Sequence, residues 1–178
     1  MNQYLNLSTE NVEKMEAGVR MILEGLGLKG EDYKETPERL SRALRELCAG
    51  LGVDLETEVF DKGVFETAQK EIRMPTLFKN ISARGLCPHH LLPILYKVDV
   101  EYKPRKKVVG LSRVYRLVRA LAARPVLQEQ LAYDIASVLR DKLECPVHVR
   151  LEGLHMCIVS RGSKSEIDSP VITELELQ

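Results

Sequence analysis

Residues 95–103 read LYKVDVEYK. Tyr96, Val98, Val100 and Tyr102 alternate with Lys97, Asp99, Glu101 and Lys103. Successive side chains of a strand point to opposite faces, so this pattern predicts a strand with one face in a core and the other in water. Half-burial of this kind belongs to an antiparallel sheet covered on one side. Pro104–Lys107 predicts the turn that ends the strand. Upstream, Glu71–Ser82 predicts a second extended segment, weakened at Pro75, which cannot donate to a ladder.

Further out, the period changes. Val114, Leu117, Val118 and Leu121 recur at helical spacing, with Ser112 as the expected cap. Arg124-Pro125 breaks that helix. Leu127, Leu131, Ile135, Val138 and Leu139 predict the inward face of the next, which Pro146 stops. Two strands are expected at Val147–Glu152 and His155–Arg161, joined near Gly153, and a last one at Val171–Leu175. At the other end, Val12, Met15, Val19, Ile22 and Leu26 draw an apolar stripe between the caps Ser8 or Thr9 and the glycines Gly25, Gly27 and Gly30. Thr36-Pro37-Glu38 predicts a second helix burying Leu40, Leu44, Leu47 and Leu51. Helices, a strand pair, a helix pair and a strand pair together predict an α+β fold, an antiparallel sheet with two helices on one face. The expected division is an N-terminal helical region at 1–52 and a catalytic domain at 53–178.

The chain has 178 residues, with 26 basic and 26 acidic side chains and no net charge. It has no global field to draw in nucleic acid or an anionic membrane, so any anion site must be a local cluster. The start, MNQYLNLSTE, lacks the basic and apolar regions of a signal peptide, and no apolar run approaches the roughly 20 residues of a membrane span. A cytoplasmic protein whose cysteines (Cys48, Cys87, Cys145, Cys157) are reduced is expected.

The densest chemistry lies in Cys87-Pro88-His89-His90. Cys87 and His90 have a C-x2-H spacing suited to one tetrahedral ion. His155-Met156-Cys157 is the second cluster. Read as a strand, it turns His155, Cys157, Val159 and Arg161 to one face, and Met156 and Ile158 into the core. Cys157 alone would pass for inert core, as Cys48 and Cys145 do. Together, Cys87, His90 and Cys157 match a catalytic zinc site with three protein ligands and one open position, where the ion lowers the pKa of water to about 7. His89 and His155 are then left as proton carriers. In the alternative, one of them is a fourth ligand and closes a structural site. A third cluster follows Gly110-Leu111-Ser112: Arg113 and Arg116, three apart in the first turns of a helix, suit an anion, with Arg124, Arg161 and Lys164 available to add to it. Glu129, beside Gln128, can accept two hydrogen bonds from an N–H-rich ring edge such as that of guanine, or simply sit at the positive end of its helix.

With these blocks in place the chain resembles GTP cyclohydrolase I from about Thr36 to Glu174. The resemblance rests on four ordered blocks: CPHHLLP at 87–93, VVGLSRVYRLV at 108–118, ARPVLQEQL at 123–131 and LHMCIVSRG at 154–162. It implies zinc on Cys87, His90 and Cys157, with His89 and His155 as acid–base groups. It implies guanine recognition by Glu129 with Gln128. It implies a triphosphate held by Ser112, Arg113, Arg116 and Arg161, joined by Arg39 and Arg42 from the second helix. The implied fold is the tunnelling fold (T-fold), assembled as a homodecamer with active sites between subunits. The implied reaction is hydrolysis of GTP at guanine C8, with loss of formate and rearrangement to 7,8-dihydroneopterin triphosphate. Three positions depart from the family pattern: Pro88 replaces a usual Glu, Arg113 a usual Lys, and Arg42 a frequent Lys. Both Lys-to-Arg changes keep charge and alter geometry. A T-fold relative acting on another purine or pterin, and a catalytically idle nucleotide- or zinc-binding paralogue, are the other readings. Two free histidines and an arginine cluster argue against idleness, since a structural zinc knot needs neither.

Overall fold

The computed structural model describes residues 3–67, 74–163 and 169–178. Residues 71–73 of the expected extended segment, and Lys164, lie outside them. The chain runs α1 (Thr9–Gly25), α2 (Thr36–Leu47), β1 (Val64–Glu66), β2 (Thr76–Leu86), β3 (Pro93–Tyr102), β4 (Lys107–Val109), α3 (Leu111–Ala122), α4 (Gln128–Leu143), β5 (Val147–His155), a single helical turn α5 (Met156–Val159) and β6 (Val171–Leu177). Strands β2-β3-β5-β6 form one antiparallel sheet in that order, and β1 pairs with β4 in a small second one.

The alternation in 95–103 does what its period demands. Tyr96, Val98, Val100 and Tyr102 are buried, while Leu95, Lys97 and the acidic residues between them face outward. Across the sheet, Val147, Val149 and Leu151 of β5 line up on the same buried face. Helices α3 and α4 cover it with Val114, Leu117, Val118, Leu131, Ile135 and Leu139, all fully buried. Each such side chain contributes roughly 1.5–3 kcal/mol by leaving water, so this one layer dominates stability. The fold is therefore α+β, with two helices on one face of an antiparallel sheet.

Several expectations are corrected. The strand pair at Val147–Glu152 and His155–Arg161 is a single strand, β5, which passes through Gly153 and ends at His155. Met156–Val159 is helical, so these residues do not alternate between two faces; Cys157 is the buried member, and Ile158 packs half-buried against the core. The reason is pairing. Beyond Ile94↔His155, β3 offers no partner, and the backbone closes its own bond from Ser160 N to the Met156 carbonyl at 2.9 Å. Thr36 and Ser112 lie inside their helices and do not cap them; the cap positions are Glu35 and Gly110, and neither side chain makes the capping bond. Ser8 does cap α1, accepting from Asn11 N at 3.3 Å. Leu40, Leu51 and Leu127 are exposed, as are Ile22 and Leu26 of the α1 stripe. Pro37 and Ser41 fill the buried side of α2 instead. Periodicity shows that a face is apolar and does not show what covers it.

Close approach is made where side chains are missing. A short 3-10 turn at Ala49–Gly52 docks on α3, where Gly50 N donates to the Ala123 carbonyl at 2.8 Å. A Cβ on Gly50 would fall inside the Ala120 carbonyl and 2.8 Å from that of Ala123. Both obstacles are backbone. Gly50→Ala should therefore lift this turn from α3 and lower stability by about 1–3 kcal/mol, the usual cost of overpacking. Urea unfolding of the variant against wild type, at constant m, measures it; an unchanged midpoint would remove the docking argument.

Candidate metal centre

Three boundaries meet at the end of the sheet. Strand β2 ends at Leu86, β3 begins at Pro93, and the four residues 88–91 form the hairpin loop between the paired ends Cys87 and Leu92. Cys87 N donates to the Leu92 carbonyl at 2.9 Å, and Leu91 N returns to the Cys87 carbonyl at 2.8 Å. Leu91 closes the loop in the left-handed region, at φ 52°. An i-to-i+4 turn of this kind brings residues three apart onto one side. Hence Cys87 Sγ lies 3.6 Å from His90 Nδ1, and 3.9 Å from His89 Nδ1. The helical turn after β5 delivers Cys157 to the same place. One donor atom from each of Cys87, His90 and Cys157 lies within 4.8 Å of the others, and this is the cluster able to hold a metal among the described residues.

The donor set fits a soft-to-borderline divalent ion. With bonds near 2.3 Å to sulfur and 2.0–2.1 Å to nitrogen, tetrahedral ligand atoms stand about 3.5–3.8 Å apart, and the Cys87–His90 separation already matches. Both sulfurs are buried and His90 is exposed, so the site is walled on the thiol side and open on the imidazole side. Burial, then the neighbouring Cys87 sulfur, pushes the Cys157 thiol up, while Arg161 pulls it the other way. Metal binding takes thiolates, so a cation at this place would oppose the upward push on Cys157.

Around the donors stand further groups. A parallel bridge, Leu86↔Pro125, pins the α3–α4 linker against the end of β2, and so starts α4 beside the centre. Gln128 is buried there, and its Oε1 lies 2.9 Å from His155 Nε2. Burial pushes the His155 pKa down, and the nearby Glu129 carboxylate pushes it up. Arg161 Nη1 lies 3.4 Å from His90 Nε2. Tyr96, whose ring meets that of His155 edge-on at 6.4 Å, has a buried hydroxyl without a hydrogen-bond partner among the described residues. Burial raises its pKa, and so do Cys87, Glu129 and Cys157. Its place in the buried alternation of β3 was readable, but nothing in the sequence marked its hydroxyl as part of the site.

The structure thus gathers Cys87, His89, His90, Gln128, Glu129, His155, Cys157 and Arg161. The other expected residues stand apart in the single chain. Among the described residues, no hydrogen bond or ion pair joins Ser112, Arg113, Arg116, Arg39 or Arg42 to this cluster. Arg113 bonds the Asp61 carbonyl at 3.1 Å, and Arg39 pairs with Glu35 at 2.5 Å.

A family model described as GTP cyclohydrolase I matches residues 15–176. This chain belongs to the GTP cyclohydrolase I family. Its relatives include the GTP cyclohydrolase 1 of Pyrobaculum neutrophilum, 42% identical over 163 residues, covering 90% of this chain and 85% of that one. The GTP cyclohydrolase 1 of Carboxydothermus hydrogenoformans is 42% identical over 156 residues, covering 85% and 79%. That of Aquifex aeolicus is 41% identical over 156 residues, covering 86% and 80%. The apo crystal structure of the archaeosine synthase QueF-Like covers 62% of this chain and 95% of its own at 21% identity and a TM-score of 0.43. No helix among the described residues is long and apolar enough to cross a membrane.

The geometry makes a test of the centre straightforward. Cys157→Ala should reduce bound zinc from about one ion per chain to near none, by removing one of three donors. Cys145→Ala, at a buried thiol outside the cluster, should leave the content unchanged. Elemental analysis after dialysis reads both; full zinc in Cys157→Ala would exclude it as a ligand.

Proposed function

We propose that this chain is a zinc-dependent GTP cyclohydrolase I, which hydrolyses GTP at guanine C8, releases formate and yields 7,8-dihydroneopterin triphosphate. The observation that carries this is the convergence of Cys87, His90 and Cys157 next to His155 and Glu129. Cys87, His90 and Cys157 hold zinc, which when bound supplies hydroxide at neutral pH. Glu129, next to Gln128 at the start of α4, accepts from the N–H edge of guanine and so presents C8 to the centre. His155, kept low in pKa by burial, takes and returns a proton at the purine, and His89 serves later proton transfers. Arg161, whose Nη1 lies 3.4 Å from His90 Nε2, faces the centre and, with Ser112, Arg113, Arg116, Arg39 and Arg42, holds the triphosphate.

The scatter of these anion-binding residues supports a homodecamer with active sites between subunits, since one chain does not bring them to its own metal centre. The uncovered α1 side chains Met21, Ile22 and Leu26 support self-association as well. The same reading divides the chain into a helical region at 1–52 and a catalytic T-fold at 53–178, and places the enzyme in the cytoplasm, acting on a nucleotide and not on nucleic acid or a membrane.

Incubating the zinc-loaded protein with GTP should release formate and, after oxidation, a fluorescent pterin. His155→Ala should keep its zinc and release formate at least 100-fold more slowly, the scale of a lost acid–base group. Arg161→Ala should weaken binding of GTP about tenfold, the scale of one charge-assisted hydrogen bond, and leave guanosine binding unchanged. No formate from wild type would sink the reading, and equal losses for GTP and guanosine would remove Arg161 from the triphosphate.

A further inference from the structure

Gln128 is a buried polar side chain, at 4% exposure. Its amide has no slack. Nε2 lies 3.0 Å from the Val171 carbonyl and 2.9 Å from Thr173 Oγ1, both on β6. Oε1 lies 2.9 Å from His155 Nε2. Burying an amide is costly unless each polar atom is paired, and here each is.

These contacts fix protons as well as atoms. The Val171 carbonyl is only an acceptor, so the amide group facing it must be the NH2. That turns the amide oxygen to His155. The oxygen has no proton to give, so His155 Nε2 must carry one. The backbone was also left clear for this bond. Gly153 lies two residues before His155 on the same face of β5, and a Cβ there would overlap Gln128 Oε1 and stand 3.0 Å from His155 Nε2.

We propose that Gln128 is a positioning residue: it holds the His155 imidazole with the proton on Nε2, so that Nδ1 is the nitrogen that exchanges a proton with substrate. The proton exchange rests on the cyclohydrolase reading above; the tautomer does not. Gln128 thereby does for His155 what a carboxylate does for the histidine of a catalytic triad, with the two ring nitrogens exchanged and no added charge. The role differs from that of a guanine contact, because the side-chain oxygen is already committed before a nucleotide binds.

The test uses full-length, zinc-loaded protein with 15N-labelled histidine, read by solid-state NMR without nucleotide, His155 being assigned by its loss in His155→Asn. Wild type should show His155 protonated at Nε2, with that proton slow to exchange with water. Gln128→Met, similar in size without the polar atoms, should lose the slow exchange and lower kcat for formate release at least tenfold with KM for GTP within twofold. Thr173→Val keeps Gln128 and removes one of its two anchors; it should fall between, and it carries the test if Gln128→Met does not fold. A wild-type His155 protonated at Nδ1 overturns the proposal. So does a Gln128 variant that raises KM with kcat unchanged, which would make the side chain a substrate contact only. Wild type that turns over no GTP yet shows the Nε2 proton overturns the cyclohydrolase reading and leaves the tautomer assignment standing.

Discussion

The start of β3 at Pro93 constrains everything at the site. β3 is paired on both sides, so its first residues decide where β2 and β5 must stop. On one side Leu86↔Pro93 closes the ladder and forces the next residues into a tight loop, which points Cys87 and His90 the same way. On the other side Ile94↔His155 is the last pair, and the chain must fold back on itself at once, which drops Cys157 into the space beside that loop. Two cysteines 70 positions apart meet because each follows the end of a strand that is paired with the start of β3.

The helical layer supplies the other half. The Leu86↔Pro125 bridge makes the α3–α4 linker a short extension of the sheet edge, and α4 leaves from there with Gln128 and Glu129 in its first turn. Glycines mark the close approaches: Gly85 lets the Ala122 carbonyl come against β2, and Gly153 admits the amide of Gln128. The helix pair is held down by the apolar face of the sheet, so the precision of the polar contacts rests on core packing far larger in energy than the contacts themselves.

Much of this was legible beforehand. Period-two and period-3.6 patterns gave β3, both core helices and the first part of β5, because those elements are half-buried by their own chain. The group that could hold a metal was legible because thiols and imidazoles at short spacing are rare without use. The errors share one cause. Leu40, Leu51, Leu127, Ile22 and Leu26 satisfy helical periodicity yet lie exposed, since a pattern names an apolar face but not its cover. The segment after His155 alternates as a strand would, yet it has no neighbour to pair with, and pairing is a property of tertiary structure. Gln128 was visible as a polar residue near a helix start; its link to His155 spans 27 positions and depended on Gly153, whose missing side chain is informative only when the two strands and the helix are seen together.

The charge balance of the pocket ties these features to one another. Cys87, Cys157 and Glu129 are three acids gathered near Tyr96, and all three push its hydroxyl toward the neutral form. Arg161, His89, His90 and His155 are the nearby bases. His155 is therefore better served by a neutral partner than by a further carboxylate. Gln128 meets the ring at 2.9 Å and contributes no net charge to a pocket that already gathers three acids and an arginine.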